Sequence, residues 1–228
     1  MPLCCCKNKT STAAALGMLG VATGVSLMTV FNAEAHDHNK KEAAKVGEAA
    51  PDFTLVDTDG DSHTLSDYTE DGKIVVLEWF NPKCPFVVKH HDAQPTMANL
   101  YNEYSGDDVV WFAINSAHKD HGTYGHDAEY KEEWEIQYPI LIDESGEIGR
   151  AYGARTTPHM YIIDAEGVLR YAGGIDNHPR PQAPRDSEKS SVVNYVDQAL
   201  SELLAGDEVS QPETRAYGCS VKYGKSKG

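Results

Sequence analysis

The chain has 228 residues, a hydrophobic fraction of 40% and a formal net charge of −15 at pH 7. Its length allows one large domain or a domain with extensions, and its hydrophobic fraction indicates a globular core rather than a disordered chain. The negative charge argues against nucleic acids and anionic membrane surfaces as partners, because their phosphate groups would repel it.

The first 35 residues have the pattern of a secretory signal peptide. Basic residues come first, residues 12–31 form an apolar stretch rich in Ala, Gly and Thr, and Ala33–Ala35 supplies an A-x-A cleavage site. The alternative is an uncleaved membrane anchor, since the stretch is nearly long enough to span a bilayer. The small residues and the A-x-A motif favour cleavage. We therefore expect an exported protein, periplasmic or secreted, with no membrane attachment once residues 1–35 are removed.

Strands and helices alternate through much of the remaining chain. We predict a polar linker at 36–48, a domain at 49–206 and a polar C-terminal tail at 207–228. Ser191 is the predicted N-cap of the last helix, and Gly206 is its predicted end. The domain is predicted to begin with a hairpin over 50–65 and a buried strand at 74–77, followed by a helical stretch from Cys84 to about Tyr104 that Pro95 divides. Next come a strand at 109–114, a loop at 117–126, a helix at 127–136, a strand at 138–142 and a short helix at 147–152. The last predicted elements are a hairpin of 160–163 and 168–171, a polar loop at 177–190 and a helix over 192–204. This order indicates one α/β domain with a mixed central sheet.

The cysteines are unevenly placed along the chain. Cys4, Cys5 and Cys6 precede the apolar stretch, so the mature chain keeps only Cys84 and Cys219. Disulfides persist outside the cytosol. An exported chain would therefore have a single pair of cysteines available for a disulfide.

Cys84 follows a predicted buried strand and begins a helical stretch. The free amides and the macrodipole at a helix start stabilise a thiolate, and Pro85 suits the first helical turn because it has no N–H to leave unpaired. We expect the nearby basic residues Lys83, Lys89 and His90 to stabilise the thiolate further. The alternative is a buried structural cysteine, a common fate of free Cys.

Residues 74–86 resemble the active-site segment of the thioredoxin superfamily, in which a strand leads into W-C-x-x-C at a helix start. Residues 50–60 resemble the opening hairpin of the peroxiredoxins, and Thr156–Asp164 resembles the cis-proline loop and hairpin that face the cysteine. The resemblance spans about residues 46–205. It implies an α/β thioredoxin-like fold, with a central mixed β-sheet flanked by helices.

The resemblance also implies roles for individual residues. Glu78 matches the position of the buried acidic residue that accepts a proton in disulfide exchange. The residues implied to line a substrate groove around the cysteine are Asn81, Pro85, Thr157, Pro158 and His159.

Two departures from these family patterns affect the chemistry. Val87 stands where the second cysteine of C-x-x-C would be, which excludes dithiol cycling within the motif. Peroxiredoxins work with one such cysteine, which a peroxide oxidises to a sulfenic acid that a resolving thiol captures. Their P-x-x-x-T-x-x-C pattern is absent too, because Leu77 and Asn81 replace its Pro and Thr. We expect the Asn81 side chain to hydrogen-bond in place of the Thr hydroxyl, and Arg155 to serve as the arginine beside the thiolate.

The chain as a whole resembles the peroxiredoxin-like redoxins of the AhpC/TSA group, in particular a secreted subgroup. That subgroup carries N-P-x-C-P-F and G-C-S-x-K-Y segments, which are here residues 81–86 and 218–223. The resemblance implies that Cys219 is a resolving thiol, which a mobile tail brings to Cys84. The alternative is a permanent disulfide that holds the tail in place, which would stabilise the domain by several kcal/mol in the chain-entropy model.

The ten histidines raise the question of metal binding. After cleavage, His36 and His38 would form an N-terminal motif able to bind Cu(II) or Ni(II) through backbone nitrogens. The spacing of His118, His121 and His126 in one loop would also suit a metal, although the solvated-loop interpretation is favoured. We expect neither a metal nor a cofactor. Because the mature chain shows no Rossmann or flavin motif, we expect its reductant to be another thiol protein.

Three functions remain open from the sequence. The first is an exported peroxiredoxin-like oxidoreductase that reduces a small hydroperoxide and is recycled by a thiol reductant protein, with Cys84, Cys219, Glu78 and Arg155 as its catalytic residues. The second is a thiol–disulfide exchange protein that acts on the disulfides of other proteins through mixed disulfides at Cys84. The third is a non-catalytic thioredoxin-fold domain that binds a metal or a partner and has a structural cysteine pair.

Overall fold

The computed structural model of the protein describes residues 42–106 and 108–225. The predicted signal peptide at 1–35 lies outside the described residues. Among the helices of these two described segments, none is both long enough and apolar enough to cross a membrane.

A mixed sheet forms the centre of the domain. The strands of the described residues are β1 (Thr54–Asp57), β2 (Ser62–Thr64), β3 (Ile74–Trp79), β4 (Val109–Asn115), β5 (Ile140–Ile142), β6 (Thr156–Thr157), β7 (Met160–Ile163), β8 (Leu169–Gly173) and β9 (Cys219–Ser220). Seven of them form one sheet in the order β2-β1-β5-β4-β3-β7-β8, and β6 pairs separately with β9. The neighbours β3, β4 and β5 run parallel, whereas β1 and β7 join them antiparallel. This arrangement confirms the predicted α/β fold with a mixed sheet.

Helices cover both faces of this sheet. They are α1 (Leu65–Glu70), α2 (Pro85–Val88), a π-helical turn (Lys89–Ala93), α3 (Thr96–Tyr104), α4 (Asp127–Glu133), α5 (Glu147–Ala151), α6 (Asp186–Lys189) and α7 (Tyr195–Leu204). Successive β3 residues point to opposite faces, so Val76 packs in a cluster with α3 and α7, and Leu77 packs in a second cluster with α1 and α5. All six residues of β3 are buried, as expected of a strand covered on both sides.

The helical stretch that follows Cys84 is divided as predicted. It runs through α2 and the π-helical turn to Ala93, and Gln94 is then extended. Pro95 is the N-cap of α3. The break follows from the proline ring, which disfavours a helical conformation at the preceding residue.

The last helix begins later than predicted. Ser191 is not its N-cap, because its hydroxyl donates to Glu188 O at 2.7 Å and so closes the short helix α6, which lies within the predicted loop at 177–190. Asn194 caps α7 instead, and its Oδ1 accepts from Val196 N and Asp197 N, each at 3.1 Å. Asn is among the strongest N-cap residues.

The described part of the predicted linker packs on the domain. Gly47 N donates to Leu169 O at 2.8 Å, and Val46 lies against the second hydrophobic cluster. Residues 42–48 are therefore in contact with the sheet rather than separate from it.

The tail, residues 207–228, also lies along the domain where the structure describes it. Ala172 N donates to Pro212 O at 3.0 Å, and Tyr223 OH donates to Ala154 O at 2.7 Å. Strand β9 within the tail pairs with β6. In this structure the tail is therefore docked, held by backbone pairing and tyrosine side chains, and the mobility expected from its polar composition stays a prediction.

Truncation of Leu77 tests the central position of β3. Leu77 is fully buried, so Leu77→Ala leaves a cavity and should lower the free energy of unfolding by about 2–5 kcal/mol. Leu204→Ala is the matched control, because Leu204 is 46% exposed and its loss should change stability by about 0.5 kcal/mol or less. Urea unfolding followed by circular dichroism measures both. Equal losses would contradict the assigned core.

Candidate active site

Cys84 lies just beyond β3, at the N-cap of α2, and is 1% exposed. A turn built by Asn81 places it there: Asn81 O accepts from Cys84 N and Asn81 Oδ1 accepts from Lys83 N, both at 3.0 Å. The Asn81 amide nitrogen donates to Thr123 Oγ1 at 3.2 Å. Pro85 occupies the first helical turn, as predicted. Both polar atoms of the Asn81 side chain thus have a protein partner, and each keeps a second hydrogen-bonding position. The hydrogen bond from Asn81 to a substrate stays a prediction.

The cis-proline loop closes directly over Cys84. The Thr157–Pro158 peptide bond is cis, and Cys84 Sγ donates to Thr157 O at 2.9 Å. Thr157 and Pro158 are both buried. The structure therefore places this loop opposite the cysteine, as the sequence resemblance implies.

Cys219 lies in contact with Cys84. Strand β9 pairs antiparallel with β6, which sets Cys219 opposite Thr157, and Cys219 packs against the hydrophobic cluster that contains Cys84. Both thiols are free, Cys84 being buried and Cys219 partly buried. Burial, followed by the hydrogen bond to Cys84 and the charge of Cys84, raises the pKa of Cys219 to about 11. Cys219 is therefore a protonated thiol at neutral pH.

Gly218 allows this close approach of the tail. Its φ is +141°, and a Cβ added to it would lie 2.0 Å from Thr157 O. Glycine lacks the side chain that this conformation and this contact both exclude. The position of Cys219 next to the loop therefore depends on a glycine before it.

Glu78 is buried on β3, beneath the helical stretch that Cys84 begins. Its two carboxylate oxygens lie 3.0 and 3.1 Å from His91 Nε2, and Tyr138 OH donates to Oε2 at 3.2 Å. These contacts hold the carboxylate within the domain. Its role as a proton acceptor for the thiol chemistry stays a prediction.

The three basic residues expected around the thiolate have their contacts elsewhere. Lys83 Nζ donates to a loop carbonyl at 3.1 Å, and the fully buried Lys89 lies 3.3 Å from Asp176 Oδ2. His90 Nε2 is 3.0 Å from Tyr217 OH. The expectation that these side chains stabilise the thiolate is not supported, because each is bonded to another group.

His159 is likewise not where the sequence predicted it, whereas the place of Arg155 beside the thiolate stays a prediction. His159 Nδ1 lies 3.0 Å from Tyr161 OH, and Tyr161 belongs to the hydrophobic cluster on the face of the sheet opposite that of Cys84. Burial, and then the charge of Arg155, lower the pKa of His159 to about 4. Arg155 is exposed, and its positive charge contributes to the lowered pKa of His159. The alternation of side chains along the chain beyond Pro158 accounts for the correction, since neighbouring residues face opposite sides.

Sequence reasoning missed the groups that hold the site together. Thr123 orients Asn81, His91 binds Glu78, and Tyr217 and Asp176 bind the π-helical turn. Each of these contacts joins residues far apart in the chain. One signal was available for Tyr217, which stands two residues before Cys219 and directly before the segment 218–223 that carries the resemblance.

The histidines of the 117–126 loop have separate partners. His118 pairs with Asp120 and His126 with Glu129, both at 3.3 Å. Within residues 42–106 and 108–225 there is no group of three or more His, Cys, Asp or Glu side chains that could hold a metal. The N-terminal motif predicted at His36 lies outside the described residues.

The fold and the site together define a thioredoxin-fold oxidoreductase, with a cysteine at the end of a central strand and a cis-proline loop opposite it. The chain belongs to the AhpC/TSA family, whose model matches residues 46–172. It is 31% identical over 157 residues to the thiol-disulfide oxidoreductase ResA of Geobacillus kaustophilus, an alignment that covers 69% of this chain and 82% of that protein.

Solved structures agree with this fold. A hypothetical protein from Sinorhizobium meliloti superposes with a TM-score of 0.68 at 26% identity, over 81% of this chain and 98% of that one. A Chlorobium tepidum protein assigned as the thiol:disulfide interchange protein DsbE gives a TM-score of 0.51 at 22% identity, over 72% of this chain and 98% of that one. The second likeness shows the fold alone.

Gly218→Ala tests the docking of the tail. The new methyl group clashes with Thr157 O, a backbone atom, so β9 should separate from β6 and Cys219 should react with iodoacetamide about tenfold faster or more. Gly206→Ala is the control, because Gly206 also has a positive φ, +80°, but nothing within 4 Å of its added Cβ. Alkylation rates measured by mass spectrometry compare the two. Equal rates would contradict the docked position of Cys219.

The pH dependence of Cys219 alkylation tests the contact between the thiols. Cys84→Ala removes the hydrogen bond and the charge that raise the Cys219 pKa, while burial by the rest of the site remains. The midpoint of the rate profile, measured from neutral pH to about pH 12, should therefore move to lower pH in the variant. A thiol reacts as its thiolate, so the rate near neutral pH should rise as well. An unchanged midpoint would mean that the two side chains are apart.

Proposed function

We propose that the protein is an exported thiol–disulfide exchange protein whose redox pair is Cys84 and Cys219. The observation that carries this proposal is the contact between the two thiols, which the pairing of β9 with β6 brings about. Val87 occupies the place of the second cysteine in the C-x-x-C motif, and the tail supplies a thiol from the other side. Membership of the AhpC/TSA family and the similarity to ResA support thiol chemistry at this position.

The exchange reaction follows from these two thiols. The thiolate of Cys84 attacks one sulfur of a disulfide in another protein, forms a mixed disulfide and releases the other sulfur as a thiolate. Cys219 then loses its proton and attacks the sulfur of Cys84, so that a Cys84–Cys219 disulfide forms and the substrate leaves with two reduced cysteines. A thiol reductant protein returns the pair to the dithiol state by the same exchange in reverse.

The assignment of Cys84 as the first nucleophile rests on its place at the start of the helical stretch after β3, and the state of its partner agrees with it. Cys219 stays protonated at neutral pH because its pKa is raised to about 11, and a thiol is a far weaker nucleophile than a thiolate. Cys84 is only 1% exposed under the docked tail. The tail must therefore move aside before a protein disulfide reaches Cys84, and it must return for Cys219 to complete the reaction.

Glu78 is the residue proposed to take up a proton during the exchange. It lies on the face of β3 that carries the cluster containing Cys84, and it is buried with His91 against it. A buried carboxylate paired with a histidine can hold a proton on either group.

Peroxide reduction is a second candidate, and the burial of Cys84 favours it. With the tail docked, a small hydroperoxide needs less opening than a protein does. The Cys84 thiolate would attack one peroxide oxygen and release hydroxide or alkoxide, and Cys219 would displace water from the sulfenic acid to form the disulfide. The similarity to ResA, a thiol-disulfide oxidoreductase, favours disulfide exchange as the first candidate over this chemistry.

The test uses the full chain with Cys4→Ser, Cys5→Ser and Cys6→Ser, called here the two-cysteine chain, after complete reduction. Addition of glutathione disulfide should produce a Cys84–Cys219 disulfide, seen by differential alkylation and peptide mass mapping. A further Cys219→Ser should stop the reaction at a mixed disulfide on Cys84, and a further Cys84→Ser should abolish it. A reaction in which Cys219 takes up glutathione first, at the rate of the unsubstituted pair, would overturn the proposal.

Two additions separate the competing functions. One equivalent of hydrogen peroxide should leave the Cys219→Ser form largely reduced, whereas rapid formation of a sulfenic acid on Cys84 would favour the peroxidase candidate. Dithiothreitol should reduce the Cys84–Cys219 disulfide in the native protein within minutes, as exchange requires. A disulfide that resists the reductant until the protein is unfolded would assign the pair a structural role.

A further inference from the structure

A buried polar cluster lies behind the two cysteines. Lys89 and His90 are both fully buried in the π-helical turn, and Asp176 and Tyr217 are 3% and 9% exposed. We call these four residues the clamp. Tyr217 belongs to the tail, whereas Asp176 follows β8. The clamp therefore joins three segments that are distant in the sequence.

The hydrogen bonds of the clamp have defined directions. Tyr217 OH donates to Asp176 Oδ1, so its oxygen is left to accept from His90 Nε2, which lies 3.0 Å away. Burial, and then the positive charge of Lys89, lower the pKa of His90 to about 2, so the ring is neutral and carries one proton. Its Nδ1 has no hydrogen-bond partner among the described residues, which agrees with a proton on Nε2.

The charges in the clamp fix the acceptor of Tyr217. Lys89 Nζ lies 3.3 Å from Asp176 Oδ2 and 5.5 Å from the centre of the Tyr217 ring. His178 N donates to Asp176 Oδ1 at 2.9 Å. Buried charges persist where they are paired and hydrogen-bonded. The Asp176 carboxylate is thereby held in one position, where it is a strong hydrogen-bond acceptor for the Tyr217 hydroxyl.

The clamp is connected to both cysteines through short pieces of chain. His90 lies on the continuous helical stretch that begins after Cys84. Tyr217 precedes Cys219 by two residues, and Gly218 between them fits against Thr157 O. Displacement of the Tyr217 hydroxyl would therefore move Cys219 relative to the start of α2.

We propose that Tyr217 is a positioning residue whose hydroxyl, held by Asp176 and His90, presents Cys219 to Cys84. This inference rests on the proposed redox pair. Closure of the clamp raises the effective concentration of the Cys219 thiol at Cys84 and covers Cys84 from solvent. Release of the clamp uncovers Cys84 for a substrate disulfide. The Tyr217 hydroxyl thus speeds the attack of Cys219 on Cys84 and slows the attack of Cys84 on a substrate disulfide.

A neighbouring tyrosine offers a matched control. A groove of 530 Å³ beside the cysteines is lined by both Tyr195 and Tyr217, together with Phe86 and Arg215. Tyr195 is on α7 and its hydroxyl is not part of the clamp. Tyr195→Phe therefore removes a hydroxyl from the same groove without touching the network that holds the tail.

The experiment compares Tyr217→Phe and Tyr195→Phe in the two-cysteine chain. Redox equilibration in glutathione buffers, read by alkylation and mass spectrometry, gives the effective concentration of Cys219 at Cys84. Tyr217→Phe should lower it about tenfold, which corresponds to about 1.4 kcal/mol, and Tyr195→Phe should leave it unchanged. The phenylalanine ring keeps the contact that Tyr217 makes with Phe86, so the substitution removes the hydroxyl and leaves the ring packing in place.

A rate measurement separates positioning from general loss of structure. With Cys219→Ser added, Tyr217→Phe should speed formation of the glutathione mixed disulfide at Cys84 about tenfold, while closure onto Cys219 becomes slower when that cysteine is present. Equal effective concentrations and equal mixed-disulfide rates in Tyr217→Phe and the unsubstituted pair would overturn the clamp and leave the proposed function intact. Failure of the unsubstituted pair to form any Cys84–Cys219 disulfide would overturn the proposed function, and the clamp with it.

Discussion

The active site depends on the pairing of Thr157 with Cys219. Thr157 contacts both cysteines at once: its carbonyl accepts from Cys84 Sγ, and its hydroxyl donates to the backbone oxygen of Cys219 at 3.4 Å. Backbone pairing, the tyrosine side chains of the tail and the absence of a side chain at Gly218 together decide where the tail lies. A two-residue strand is weak by itself. The loop with Pro158 is the fixed surface against which the tail docks.

Beneath this surface the helical stretch after Cys84 carries two buried polar pairs. Lys89 pairs with Asp176, and His91 pairs with Glu78, all within the domain interior. Such pairs contribute little net stability, because removing two charges from water costs about as much as their attraction returns. They do restrict how the surrounding segments fit together, since any displacement leaves a charge without its partner. These buried contacts thereby fix the orientation of the helical stretch that begins at Cys84.

The sequence is sufficient for the fold because the decisive patterns are local. The apolar run of β3, the turn before Cys84 and the division of the helix at Pro95 each depend on a few adjacent residues. The site is less predictable, because its contacts join residues far apart in the chain. Nothing in the neighbourhood of His159 indicates which face of the sheet it occupies, and the polar tail around Cys219 has no periodicity from which its docking could be read.

Separation of the two cysteines by most of the domain couples oxidation to folding. A disulfide between neighbouring residues of a motif closes a small ring, whereas one between Cys84 and Cys219 would close a loop that contains four of the seven strands of the central sheet, β4, β5, β7 and β8. Such a loop is worth about 5 kcal/mol of denatured-state entropy in the chain-entropy model. Thermodynamic linkage makes this relation reciprocal: the free energy by which the bond stabilises the fold is the free energy by which the fold stabilises the bond. The reduction potential of this pair is therefore a property of the whole domain. A chain truncated before Cys219 would keep Cys84 but lose its redox partner.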